Sequence, residues 1–265
     1  MKNILVLVDF TSTATISAKQ TIAIAKKVGA SVTFCHIDPS VIDEVKDSLK
    51  KQFEDYTELA NQAGVESEVL VGHGELNFEV HEIVKVNDPD LVVVGTHGKV
   101  GLKQNLFGSS IYKLVKGIKA STLVVSDKTI VNEGKFKKVL MPVAPNKDYL
   151  LKVKQTCALL DADGEIVIFA IIKPGVPLFD EIVQNIESAK TFLERAGVKW
   201  KYEQVDSKHY SIGYARDTLE FVHEHDIDLV SIMTNVSEIN PYFGSIDKEN
   251  LILNDIGVPV LCANH

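Results

Sequence analysis

Short apolar runs alternate along this chain with longer segments in which apolar residues return every three or four positions. The runs Ile4–Val8, Val32–Ile37, Ser67–Val71, Leu91–Val94 and Thr122–Val125 are rich in valine and isoleucine. Most lack a polar residue at every second position, as expected of parallel strands covered on both faces. Between them, Ile42, Val45, Leu49, Phe53, Tyr56 and Ala60 keep helical spacing, and Gly64 stands where a helix C-cap would fall. Thr11 to Thr13 offer N-caps for the helix after the first strand. Alternating strands and helices predict an α/β fold, a parallel sheet with helices on both faces. Five strands in this order suggest a flavodoxin-like, doubly wound unit.

The same unit is then written a second time. Lys2–Val8 (KNILVLV) matches Lys137–Val143 (KKVLMPV) 135 residues on, and Val32–Val41 matches Val167–Val176 at the same offset. Ala63-Gly64-Val65 returns as Ala196-Gly197-Val198, Asp90-Leu91-Val92 as Asp228-Leu229-Val230, and Phe107-Gly108-Ser109 as Phe243-Gly244-Ser245. Five blocks in one order predict tandem domains over 1–127 and 137–265, joined by the polar, aperiodic stretch 128–136 (KTIVNEGKF).

Composition narrows the classes of function. The 265 residues carry a net charge of −8, which argues against a nucleic-acid surface. The densest basic spot, Lys135, Lys137 and Lys138, reads as a solvated connector. Cys35, Cys157 and Cys262 are far apart, in no metal spacing, and read as core fillers in a reducing compartment. The apolar run after Met1 meets Asp9 after five residues, too short for a signal peptide or a membrane span, so a cytoplasmic location is expected.

Two strand ends in the first copy carry unusual chemistry. The first strand runs into Asp9, and the fourth into Gly95-Thr96-His97-Gly98, followed after nine residues by Gly108-Ser109-Ser110. Glycines let backbone amides approach an anion, and a helix opening at Gly108 would add its free N–H groups, its dipole and two hydroxyls. Asp9 could accept hydrogen bonds from ribose hydroxyls or from an adenine amino group. Lys103 could reach a phosphate, and His97 could either do so or cap the turn. The spacing is neither GxGxxG nor GxxxxGK[ST], so neither a dehydrogenase nor a P-loop NTPase is indicated.

Residues 95–110 (GTHGKVGLKQNLFGSS), with Val8-Asp9 early and His36-Ile37 ending the second strand, closely resemble the Gly-x2-Gly-x9-Gly-Ser pattern of the ATP-binding class of universal stress proteins. The repeat makes the whole chain look like a tandem member. The resemblance implies a sheet in strand order 3-2-1-4-5. It implies adenosine contacts from Asp9 and Ile37, a base pocket lined by Val94, and phosphate contacts from Gly95, Gly98, Gly108, Ser109 and Ser110. The implied ligand is ATP, with or without Mg2+, and the implied role is stress survival, with nucleotide occupancy switching an unidentified protein partner. Single-copy members pair through their last strands, so Thr122–Val125 and Val258–Cys262 are expected to pair within this chain, with further homodimerisation left open.

The second copy keeps the scaffold and loses this chemistry. Ala144 replaces Asp9, Met233 stands at the place of Gly95, and Glu238 and Pro241 enter the shortened loop. A degenerate nucleotide site is therefore expected there. No nucleophile elbow, Ser/His/Asp order or acid pair is found, so no catalytic residue is assigned, and any turnover would be slow ATP hydrolysis or autophosphorylation at Ser109 or Ser110. A module holding a non-nucleotide ligand, or a partner only, is the other alternative. His223 and His225 would point about 200° apart on a helix, and His209 shows no partner spacing, so no metal site is assigned.

Overall fold

The apolar run that opens the chain forms β1 (Asn3–Leu7), with four of its five residues buried. A computed structural model describes residues 1–39, 47–96, 111–210, 213–235 and 244–264. The chain divides into two units, Met1–Lys135 and Phe136–Asn264.

In the first unit β1 is followed by α1 (Ser12–Val28), β2 (Ser31–Asp38), α2 (Asp47–Ala63), β3 (Ser67–His73), α3 (Leu76–Asn87), β4 (Leu91–Thr96), α4 (Ile111–Gly117) and β5 (Thr122–Ser126). The strands run parallel in the order β3-β2-β1-β4-β5. The second unit comprises β6 (Phe136–Pro142), α5 (Tyr149–Leu159), β7 (Leu160–Ile172), α6 (Asp180–Arg195), β8 (Lys199–Asp206), α7 (Ala215–Glu224), β9 (Leu229–Met233), α8 (Ser245–Ile252) and β10 (Val260–Ala263). Its order is β8-β7-β6-β9-β10, again all parallel. Both units therefore have the 3-2-1-4-5 order. Central strands β1, β4 and β9 and the carboxyl half of β6 are buried and mostly apolar, whereas β3 and β8 are partly exposed and admit polar residues.

The repeated blocks turn out to be structural joints. Gly64 and Gly197 both adopt φ near +70° at the end of a helix, where a side chain would be strained. Val65 N–H then donates to the Ala60 carbonyl at 2.9 Å and Val198 N–H to the Leu193 carbonyl at 2.9 Å, the same helix-closing bond in both units. Asp90 accepts from Lys2 N–H at 2.5 Å and Asn3 N–H at 3.2 Å, tying the start of β4 to the start of β1. Asp228 does the same with Lys137 N–H at 2.7 Å and Lys138 N–H at 2.9 Å. The two carboxyls titrate differently despite equal bonding. Burial raises Asp228 above its ordinary range. At the more open Asp90, burial is outweighed by the two N–H bonds and by the positive charges of the N-terminus and Lys2, and the net shift is downward.

The stretch 128–136 is polar, but it is docked on α1. Buried Gln20 donates through Nε2 to Asn132 Oδ1 at 2.7 Å and accepts from Asn132 N–H at 3.0 Å. Phe136 is buried and begins β6, which also contains Lys137 and Lys138, so only Lys135 of that basic cluster lies in the connector. Cys35 and Cys262 are buried and unpaired, and burial pushes both thiols up to about 12, leaving them unreactive. Among the described residues no helix is long and apolar enough to cross a membrane.

Candidate functional site

Strand order decides where a ligand can sit. In the first unit β1 lies between β2 and β4, and the chain winds outward in opposite directions on either side of that pair. Such a switch point opens a crevice beyond the carboxyl ends of the strands. Val6 is in register with Val93, and three residues further on the two strands deliver Asp9 and Thr96 to the same edge.

Asp9 is held by a tight local turn. Its Oδ1 accepts from Thr11 N–H at 3.1 Å and from the Thr11 hydroxyl at 2.6 Å. The Thr11 hydroxyl oxygen in turn accepts from Ala14 N–H at 3.3 Å as the N-cap of α1, so carboxylate and helix start are fixed together. Asp9 Oδ2 makes no hydrogen bond among the described residues. One carboxylate oxygen at the edge of the crevice is thus left for an outside donor.

Between Asp9 and Thr11, Phe10 adopts φ +62°. For a residue with a large side chain this costs on the order of 1–2 kcal/mol, the kind of strain that collects at functional sites. The turn sends the ring into a cluster with His36 (centroids 4.7 Å apart), Phe53 (5.1 Å, edge-on) and Tyr56 (6.1 Å). His36 Nδ1 lies 2.8 Å from the Val8 carbonyl, which can only accept, so Nδ1 carries the proton. Burial lifts the Tyr56 hydroxyl above its ordinary pKa. A hydrogen bond with Thr15 opposes that shift, and the negative charges of Asp9 and Asp55 add to it. This aromatic wall was not legible in the sequence, where Phe53 and Tyr56 read simply as a helix face.

The other assigned residues fall into three groups. Val94 and Ile37 are buried, Val94 within β4 and Ile37 near the end of β2. A side chain added at Gly72 would come within 2.8 Å of Ile37 Cδ1 and 2.9 Å of Ile83 Cδ1, so the tip of the Ile37 side chain packs against β3 beside α3. Gly95, next to last in β4, lies directly against α1. A Cβ there would lie 2.7 Å from Ser17 Oγ and 2.9 Å from Thr13 Cγ2, so the close approach of α1 favours a glycine. Its spacing in the sequence therefore has a packing cause beside the anion-binding one. Gly98, Gly108, Ser109 and Ser110 lie outside the described residues, as do His97 and Lys103.

The matching edge of the second unit is built differently. Ala144 stands where Asp9 stands, Lys152 where Ser17 stands and buried Met233 where Gly95 stands. Glu238 and Pro241 are outside the described residues. Gly244 is the N-cap of α8, its N–H donating to Asp247 Oδ2 at 3.2 Å, while Asp247 Oδ1 accepts from Tyr214 N–H at 2.8 Å and Ala215 N–H at 3.1 Å. The surviving Gly-Ser block here joins two helix starts.

His209, which the sequence left without partners, has two. Its Nδ1 lies 3.0 Å from Asp217 Oδ1, and its Nε2 3.9 Å from Glu220 Oε1. This is the His/Asp/Glu group among the described residues with metal-like proximity. Asp217, however, is spent on the loop, accepting also from the Ser207 hydroxyl at 2.5 Å and Lys208 N–H at 3.1 Å. Burial would raise its carboxyl, but the bonds from Ser207, His209 and Lys208 and the charge of His209 hold it below the ordinary range. A group whose folded pKa is depressed stabilises above its unfolded pKa of about 3.9, and the contribution fades as pH falls through the lower folded value. Asp217→Ala is expected to cost roughly 2–3 kcal/mol at pH 7 and to lose little more on acidification. Urea unfolding at pH 7 and pH 3 checks this, and an equal cost at both pH values would refute the linkage.

Two units of 3-2-1-4-5 order, the first with an acid and a glycine-bearing strand end at its switch point, define a flavodoxin-like doubly wound α/β protein. Comparison with known proteins makes the class specific. Residues 1–126, just under half of the chain, match the model of the Universal stress protein family. The universal stress protein YxiE of Bacillus subtilis is 30% identical over 94 residues, covering 34% of this chain and 64% of YxiE, so the match spans less than two thirds of that relative. A universal stress protein structure from Archaeoglobus fulgidus aligns over 99% of this chain and 96% of its own at TM-score 0.71 and 15% identity. A functionally unknown protein from Pseudomonas aeruginosa aligns over 100% and 92% at TM-score 0.65 and 11% identity. At those identities the two structures establish a shared fold across both units.

Proposed function

We propose that the first unit binds ATP, with or without Mg2+, and that its occupancy acts as a regulatory signal in stress survival. The observation that carries this reading is Asp9: a carboxylate fixed by Thr11, with Oδ2 unengaged among the described residues, at the switch-point edge that it shares with Gly95-Thr96. An acceptor so placed suits ribose hydroxyls or the adenine amino group. From Thr96 the chain runs into the sequence Gly98 to Ser110, whose glycines and hydroxyls suit phosphate oxygens. The second unit supports the reading by contrast, since the same fold stands there with Ala144 and Met233 in place of Asp9 and Gly95.

Nucleotide-free protein titrated with ATP in a calorimeter is expected to bind about one ATP per chain. Asp9→Ala is expected to weaken binding about tenfold or more, the loss of one or two hydrogen bonds to a charged acceptor. No heat of binding to the nucleotide-free protein would sink the proposal, and unchanged affinity in Asp9→Ala would remove Asp9 from it. Incubation with γ-labelled ATP separates a binding protein from a slow ATPase or an autophosphorylating one.

A further inference from the structure

Asp9 keeps its place at the crevice through the residue that follows it. Strand pairing continues to Val8, whose N–H donates to the Cys35 carbonyl at 2.8 Å, and α1 already begins at Ser12. The reversal from strand to helix therefore falls on Asp9, Phe10 and Thr11. With Oδ1 accepting from Thr11 N–H, Asp9 forms an Asx turn in which Phe10 stands where the third residue of a β-turn stands. Turn types II and I′ require a left-handed φ at that place and ordinarily find glycine there. Here a phenylalanine adopts φ +62°, against its own backbone preference. Its ring lies against three aromatic side chains from two other elements, His36 of β2 and buried Phe53 and Tyr56 of α2. Those partners are themselves fixed. His36 is bonded through Nδ1 to the Val8 carbonyl, and Tyr56 stacks on Phe34 at 5.6 Å with its hydroxyl hydrogen-bonded to Thr15 of α1.

The second unit lacks the turn and the aromatic wall together with the acid. Ala144 and Pro145 stand at the places of Asp9 and Phe10, and Ile171 at the place of His36. In the alignment set by Gly64 and Gly197, Ile186 and Ala189 replace Phe53 and Tyr56. Proline is locked near φ −65° and cannot take the left-handed turn. The second unit ties this stretch from outside instead, Asn185 Nδ2 donating to the Ala144 carbonyl at 2.9 Å and to the Asn146 carbonyl at 3.0 Å. The shared fold thus requires neither the turn nor the wall, and both accompany the acid. We propose, resting on the reading of Asp9 as a nucleotide contact, that Phe10 is a positioning residue of that site. Its ring, anchored on His36, Phe53 and Tyr56, keeps the turn left-handed, and the turn keeps Asp9 on Thr11 with Oδ2 unengaged.

Substitutions at Phe10 in the full chain separate this role from simple packing. Phe10→Tyr keeps the ring, and its ATP affinity is expected to stay within about twofold of wild type. Phe10→Ala loses the ring but keeps a Cβ, so the turn relaxes and affinity is expected to fall about tenfold. Phe10→Gly loses the ring and the steric objection together, and affinity is expected to return to within about threefold of wild type. A residue that only filled space would rank the other way, with glycine below alanine. In an Asp9→Ala background neither change is expected to lower affinity further, because Phe10 acts through that carboxylate. Hydrogen exchange in the nucleotide-free protein gives a readout independent of ATP. Protection of the Thr11 amide is expected to fall about tenfold in Phe10→Ala and less in Phe10→Gly. Glycine no better than alanine in these measurements, or a loss of affinity that persists in the Asp9→Ala background, would overturn the proposal. A wild type that binds no ATP would instead overturn the nucleotide reading, and the order of Thr11 protection would then decide whether Phe10 holds Asp9.

Discussion

Replacing Gly134 with alanine is expected to destabilise the first unit by about 3 kcal/mol. Gly134 adopts φ +119°, and a Cβ there would lie 2.5 Å from the Ala23 carbonyl oxygen and 3.0 Å from Lys27 Cβ. The nearer atom is helix backbone and cannot rotate away. Nor can the segment retreat, because Asn132 is bonded twice to Gln20 and its Oδ1 also accepts from Gly134 N–H at 2.9 Å. Gly29→Ala is the control. Its φ of +70° is also left-handed, but nothing lies within 4 Å of the added Cβ, so only the conformational cost of about 1 kcal/mol applies. Urea unfolding, with hydrogen exchange resolving the amides of α1, measures both. A Gly134→Ala loss no larger than that of Gly29→Ala would show that the connector is not held on α1.

That contrast shows what could be read from the chain and what could not. Strands and helix ends report through local rules, since buried parallel strands have no choice but unbroken apolar runs and a left-handed cap calls for glycine. The runs from Ile4, Val32, Leu91 and Thr122, the Thr11 cap and the Gly64 cap were therefore visible in sequence, and the fold class with them. Gly134, Asn132 and Gln20 were not visible, because their meaning is a contact across more than a hundred residues in a stretch with no period. The same applies to Asp90 and Asp228, whose recurrence was plain while its cause, a clamp on the first strand of each unit, needed the sheet. At the site, Asp9 was marked by being an acid at the end of an apolar run. Gly95 was marked by its spacing, and spacing by itself does not tell a phosphate contact from a helix packed close against the strand.

For this reason the decisive test of the nucleotide reading falls on a glycine other than Gly95. Gly108→Val is expected to reduce ATP affinity at least about 100-fold, a loss of ~2.7 kcal/mol, by placing a branched side chain where backbone N–H groups would meet phosphate. Gly95→Val would also abolish binding, but through displacement of α1 from β4, so its failure would carry no information about ligand contacts. Gly244→Val, at the matching block of the second unit, supplies the comparison. Gly244 begins α8 beside Asp247, and a site confined to the first unit leaves ATP affinity there unchanged. Calorimetry of the three proteins, each with its unfolding midpoint recorded, separates the possibilities. Tight binding retained in Gly108→Val would remove the 95–110 loop from the site while leaving Asp9 in place. A stoichiometry of two in the wild type, falling to one in Gly244→Val, would mean that the second unit binds nucleotide despite Ala144 and Met233, and that the acid at β1 is dispensable.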